Sequence, residues 1–206
     1  MALTKTSELQ AINTMLSAIG EAPINTLEPT SETADVSLAK NLLIEVSRET
    51  QSAGWHFNRE TDVTLSPTVD DEILIPTSAA RIDVEPSNSS GGTGYIDYIQ
   101  RGERLYDKTN HTYTISSSLK CTIIYMLSWD ELPQTARHYI MIKSARRLQD
   151  RVVGSGDHHT FNQTDEYQAL IAFRAAEAQE GDFTIFDNYD VFRTIDRTSV
   201  INRIVS

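Results

Sequence analysis

The chain of 206 residues has a single cysteine, Cys121. No intrachain disulfide can form, so packing and hydrogen bonds must hold the fold, as expected of a protein folded in a reducing cytoplasm. No apolar run approaches the roughly 18 residues of a membrane span. The first residues, MALTKTSELQ, lack the basic start and apolar core of a secretory signal. Three N-x-[ST] sequons, at Asn88, Asn110 and Asn162, are therefore uninformative. Basic residues are scarce: 18 Lys and Arg stand against 29 Asp and Glu, a net charge of −11. Proteins that grip duplex DNA by neutralising phosphates are usually basic. With no recognition motif either, a DNA-binding regulator is disfavoured.

What is present is an ordinary globular composition, 39% hydrophobic and 23% charged. The length suits one domain or two small ones. The charge is uneven: −4 over residues 1–60, −6 over 61–132, neutral over 133–181 and −1 beyond.

Periodicity predicts a helix over 6–19, where Leu9, Ile12, Leu16 and Ile19 form one stripe. A second helix is predicted over 33–53, with Leu38, Leu42 and Val46 at successive i+4 steps, antiparallel to the first. The pattern then changes. Short alternating runs at 63–65, 73–75, 82–84, 95–100, 104–106, 112–115 and 120–127 are separated by turn residues, which predicts a small antiparallel sheet or sandwich. A third helix is expected from Pro133 to about Val153, with Ile140, Met141, Ser144, Leu148 and Val152 inward. A fourth is expected from about Phe161 to Glu180, with Tyr167, Leu170 and Phe173 inward. The fold class is thus α+β: an antiparallel helical bundle (1–58 and 129–181) with an inserted β domain (59–128) and a C-terminal arm (182–206).

Candidate chemistry is thin. His158-His159 is read as an exposed loop pair, because side chains at i and i+1 diverge and no Cys or HExxH spacing supports a metal site. Cys121 is read as a buried structural thiol, since no base is placed beside it. Gly91-Gly92-Thr93-Gly94 lacks the Lys and following helix of a phosphate loop. Asp70-Asp71-Glu72 matches no EF-hand spacing and reads as a solvated turn. With 29 acidic residues, possible glycosidase carboxylate pairs carry no information. No cofactor, metal or catalytic residue is assigned.

Three features carry more. At Gly54-Trp55-His56-Phe57 a helix meets a Gly suited to a left-handed turn, then two rings two residues apart. In an extended chain Trp55 and Phe57 share one side and plug a helix–sheet junction. The third helix is locally basic, with Arg137, Lys143, Arg146, Arg147 and Arg151 against Asp150. Lys143, Arg147 and Arg151 form one stripe, which pairs with acidic helices, contacts a neighbouring subunit or lines a channel. Finally, 182–206 is too apolar for a disordered tail, so Phe183, Phe186, Tyr189 and Phe192 are candidate docking residues, on the chain's own domain or on a partner.

Several segments resemble one family. Ile19-Gly20-Glu21-Ala22-Pro23-Ile24-Asn25-Thr26-Leu27-Glu28 is similar to the I-G-E-x-P-[VI]-x-T-L-E start of the tail tubular protein A family, the head-to-tail adaptors of T7-like short-tailed bacteriophages. Gln51-Ser52-Ala53-Gly54-Trp55-His56-Phe57-Asn58 resembles its Q-S-x-G-W-x-F-N. Tyr106-Asp107-Lys108-Thr109, Trp129-Asp130-Glu131-Leu132-Pro133 and Lys143-Ser144-Ala145-Arg146-Arg147 resemble three later motifs in the right order. The resemblance spans about residues 3–180 and is poor beyond Gly181. It implies a non-enzymatic virion protein, assembled in the host cytoplasm into a ring of twelve between portal and tail nozzle protein (tail tubular protein B), with DNA passing through the channel. Portal, nozzle, further copies of the chain and tail fibres are the partners it implies. The alternative is a tail-associated hydrolase of cell-wall or capsular polysaccharide, acting in addition to the adaptor role.

Overall fold

A computed structural model describes residues 4–27, 33–84, 96–154 and 156–181, with the side chains of 156–162 left aside. The element order is α1 (Glu8–Ala18), α2 (Ala34–Gln51), β1 (Arg59–Leu65), β2 (Ala79–Val84), β3 (Tyr98–Arg101), β4 (Arg104–Asp107), β5 (Leu119–Tyr125), α3 (Gln134–Val152) and α4 (Gly156–Glu180). The helices and small antiparallel sheets make an α+β fold, with all five strands between α2 and α3 in sequence.

Helices α1 and α2 each start where a side chain accepts an orphan backbone N–H. Ser7 and Gln10 form a reciprocal capping box at α1, and Thr33 Oγ1 accepts from Val36 N at α2. Pro133, whose missing N–H costs nothing there, precedes α3. The apolar stripes of α1 and α2 then meet α3 in one core of Ile12, Met15, Leu16, Leu42, Leu43, Val46, Ile140 and Leu148, each at most 2% exposed. Lys143 meets Glu49 while Arg151 meets Glu45, so α2 and α3 run antiparallel. Thr6 meets Gln134 and Arg137 at the start of α3, so α1 runs parallel to it and hence antiparallel to α2.

In the three-stranded sheet β5 is central, flanked antiparallel by β1 and β2. The β1–β5 register slips by one residue between Glu60 and Val63, a bulge where Asp62 takes φ 58°. Strands β3 and β4 form a separate hairpin. Its neighbour is the segment 73–75: Leu105 N donates to Ile73 O and Ile75 N to Glu103 O, at 3.0 and 2.9 Å. A second core of Ile73, Ile75, Leu105, Ile115 and Leu119 lies between these pieces.

Several expectations are corrected. The runs 73–75 and 112–115 are isolated bridges rather than strands, because each makes only one ladder contact, Leu74 with Arg104 and Thr112 with Asp107. Helix α4 starts at Gly156, so His158 and His159 lie on helical backbone rather than in a loop. Tyr167 is 64% exposed and Val152 45% exposed, not inward. Among the described residues α4 packs chiefly on α3, with Ala169, Phe173 and Glu177 on its covered side. The Gly-rich loop and the arm residues Phe183, Phe186, Tyr189 and Phe192 lie outside the described residues.

Candidate functional site: the helix–sheet junction and the basic stripe

The chain crosses between helices and strands twice, entering at 52–58 and returning at 126–133, and both crossings meet at the end of α2. Two buried amides tie them together. Gln51, 2% exposed, accepts from Leu127 N at 2.7 Å and donates to Leu127 O at 3.2 Å. Its side chain thus pairs with the returning chain as a strand would. Asn58, also 2% exposed, donates to Gln51 O at 2.9 Å and Tyr125 O at 2.8 Å, and accepts from Trp55 N at 2.9 Å. The last residue of α2, the connecting turn and the end of β5 share one amide. Buried amides satisfied this fully fix relative position, because breaking one leaves several unpaired groups.

Gly54 adds a steric demand. Its φ is +77°, and a Cβ there would lie 2.3 Å from Ile124 Cδ1, with Ile124 itself 1% exposed. The backbone lies against the Ile124 side chain of the central strand; the left-handed turn favours glycine, and a Cβ would in addition force the Ile124 side chain to move.

The ring pair behaves differently from expectation. Residues 56–58 form a single 3-10 turn, so Trp55 and Phe57 are not on one side of an extended segment. They still converge, on a third ring. Phe173 of α4, fully buried, has Trp55 at 4.3 Å, Tyr139 at 5.7 Å and Phe57 at 6.2 Å between centroids. Trp55 and Phe57 are half-buried, and Trp55 Nε1 donates to Thr50 O at 2.7 Å. The plug therefore locks α4 to the junction. Phe173 was an inward residue by periodicity, but nothing in the sequence joins it to Trp55.

Glu177, one turn further along α4, was not singled out by the sequence. It is 6% exposed, and its Oε2 accepts from His56 N at 2.7 Å, capping the 3-10 turn. Burial holds its carboxyl above the usual carboxylate range, more than the His56 and Phe57 N–H groups lower it. Its Oε1 has no hydrogen-bond partner among the described residues. Trp55, His56, Arg59 and Glu177 line an open cleft of about 510 Å³ here.

The basic stripe pairs within the subunit. Lys143 lies 2.9 Å from Glu49, Arg147 2.7 Å from Glu49 and 3.7 Å from Glu45, and Arg151 3.2 Å from Glu45. The hydrogen bond from Arg147, the largest influence, holds the Glu49 carboxyl below its usual range. Arg146 points the other way, to Asp150 and to Glu166 of α4. Arg137 is separate again. It is 4% exposed and donates to the carbonyls of Leu132, Thr6 and Asp130 at 3.0, 2.7 and 2.6 Å. A buried arginine that donates to three carbonyls is an organiser of backbone, here of the turn that starts α3.

The other motifs are knots of the same kind. Asn13 clamps Ile24 through both its N–H and its carbonyl, at 2.8 and 2.9 Å. Asp107, 4% exposed, accepts from Asn110 N and Asn110 Nδ2, both at 2.8 Å, to close the turn after β4. Trp129 Nε1 donates to Thr6 O at 3.0 Å and Glu131 accepts from Ser128 N at 2.8 Å. Cys121 is buried, its Sγ 3.3 Å from Val63 O. Among the described residues no cluster of three His, Cys, Asp or Glu could hold a metal, and no helix is long and apolar enough to cross a membrane.

Two comparisons with known proteins agree with this architecture. Residues 9–183 match the tail tubular protein family. The chain is 30% identical over 171 residues to the tail tubular protein A of Klebsiella phage KP34, an alignment covering 80% of this chain and 84% of that one. The matched region includes nearly all of both helical segments, the whole β insertion and the junction around Gln51 and Asn58; the chain belongs to the tail tubular protein family, and is a structural component of a phage tail.

Proposed function

We propose that the chain is the subunit of a head-to-tail adaptor: a ring between portal and tail nozzle protein, twelve copies by family resemblance, with a central channel that passes DNA. The observation that carries this reading is the family match across residues 9–183, which takes in the helical and the β parts together. The junction supports it physically. An adaptor must hold a portal-facing part and a nozzle-facing part at a fixed angle, and Gln51, Asn58, Gly54 and Phe173 tie the two layers at both chain crossings. In this reading 1–58 with 129–181 builds the ring and meets the portal, and 59–128 faces the nozzle. Self-association and portal binding need at least two different surfaces per subunit, because ring contacts are heterologous. A net charge of −11 suits a channel with few cations to hold phosphates, so DNA slides. Assembly takes place in the host cytoplasm before incorporation into the virion.

Negative-stain imaging of the purified protein, alone and mixed with portal, tests this. Rings, or a capped portal, are expected. A chain that stays monomeric and ignores portal rejects the adaptor reading. Saccharide release from host cell wall or capsule, lost on one carboxylate substitution, would instead support the hydrolase alternative.

A further inference from the structure

The outer face of the three-stranded sheet holds two arginines whose guanidinium groups are unpaired among the described residues. Arg59 on β1 and Arg81 on β2 both stand opposite Ile124 of the central strand. Residues in one cross-strand row share a face, so the two guanidinium stems rise two strand spacings apart, about 10 Å. Both residues are exposed, and neither guanidinium has a hydrogen-bond or ion-pair partner among the described residues. Elsewhere the chain pairs its cations readily: Arg104 with Glu72, Lys108 with Asp97, Lys120 with Asp62, and the α3 stripe with α2. Arg59 and Arg81 flank a hollow of about 180 Å³ floored by Thr122 and Ile124, with Thr61 and Asp83 at its edges. Two cations against one acid, in a chain of net charge −11, make this a locally positive recess.

The opposite end of the β layer carries the reverse charge. The turn after β1 presents Val69, Asp70 and Asp71, with Val69 100% exposed. Asp70 and Asp71 are exposed and their carboxylates have no partner among the described residues, whereas Glu72 is held by Arg104. The turn is rigid: Thr68 N donates to Glu72 O at 2.8 Å, Asp71 N to Thr68 O at 3.1 Å, and Ile115 N to Asp71 O at 2.6 Å. Arg59 opens β1 and the acidic turn follows its end, so a seven-residue strand, about 23 Å, separates the two patches. Opposite charges at opposite ends of one layer are what a head-to-tail contact between identical subunits requires.

We infer that the Arg59–Arg81 recess of one copy receives the Asp70-Asp71 turn of the next, forming the β-layer seam of the ring. The inference rests on the ring reading above and adds to it a partner surface and an orientation, with the β1 direction lying along the ring circumference.

Charge reversal tests it. One variant carries Arg59→Glu with Arg81→Glu. The other carries Asp70→Arg with Asp71→Asn, because Asp71 has φ 56° and asparagine accepts that backbone. All four sites are exposed, so both variants should melt with the parent. In negative stain and sedimentation velocity each variant alone should lose the ring species, and an equimolar mixture should recover it, since alternating subunits restore every contact. The parent ring should also weaken as salt rises. Variants that form rings like the parent, or a mixture that fails to recover them, overturn the seam and leave the ring reading standing. A parent chain that forms no ring, alone or with portal, overturns both.

Discussion

The helical part and the β part are held by different means. Among the described residues, thirteen buried apolar residues around α1, α2 and α3 form one continuous core, whereas the core between the sheet pieces has five. The helices also carry ion pairs between Glu45 and Glu49 of α2 and the Lys143–Arg151 stretch of α3. A small β core of this kind is marginal by itself. It is instead clamped to the helices at its base, where Gln51 and Asn58 meet Leu127 and Tyr125. The comparison teaches that the β part takes its position from the junction, so damage at 51–58 should reach the sheet before the bundle.

The largest effect is expected at Gly54. Gly54→Ala adds a left-handed strain of about 1–2 kcal/mol and an overpacking cost of about 1–3 kcal/mol against Ile124. Urea unfolding should show a loss of about 3–4 kcal/mol, with hydrogen exchange rising first in β5. A near-neutral substitution would mean that Gly54 does not lie on the sheet. Phe173→Ala comes next, at about 3–4 kcal/mol for emptying a fully buried ring site. It should free α4 while sparing α1 and α2, visible as selective exchange in 156–180. Trp55→Ala should cost less, since that ring is half-buried. Gln51→Ala leaves both Leu127 backbone groups unpaired, and about 2–3 kcal/mol is expected. Here the sharper readout is cooperativity: a sheet that unfolds before the helices confirms the clamp, and one unchanged transition counts against it.

The smallest effect is electrostatic. Burial raises the native Glu177 carboxyl above its unfolded value, so the folded chain keeps a proton that the unfolded one has lost. Its contribution therefore declines as pH rises from the usual carboxylate range through the native value. Glu177→Gln keeps an acceptor for His56 N and removes that decline. Unfolding midpoints of variant and parent should diverge in the variant's favour as pH rises through this window. Parallel curves would show that the carboxyl is not desolvated. Glu49 has the opposite sign: its lowered native value gives a stabilisation present above the usual range and lost as pH falls through it.

Much of this was legible in the chain. The apolar stripes, Pro133, Gly54 and the switch from helical to strand pattern are local features, set within a few residues by backbone sterics and hydrogen bonding. They gave four helices, the inserted strands and the place of the junction. Motif resemblance gave the family. Two of the local readings that failed did so because burial and strand pairing depend on neighbours. Tyr167 sits on an apolar pattern but on the side of α4 that no other described element covers. The 73–75 run has strand composition but only one bridge to pair with.

By itself, then, the sequence determined the elements, their order and the points where the chain must turn. Only the tertiary structure decided which distant groups meet. Glu45 and Glu49 neutralise the α3 stripe, Phe173 collects Trp55 and Phe57, and Glu177 caps the 3-10 turn across 121 residues of sequence. Arg59 and Arg81 likewise become one surface only because β5 runs between them. Such pairings depend on sheet register and helix packing, which act over the whole fold, and no local spacing encodes them.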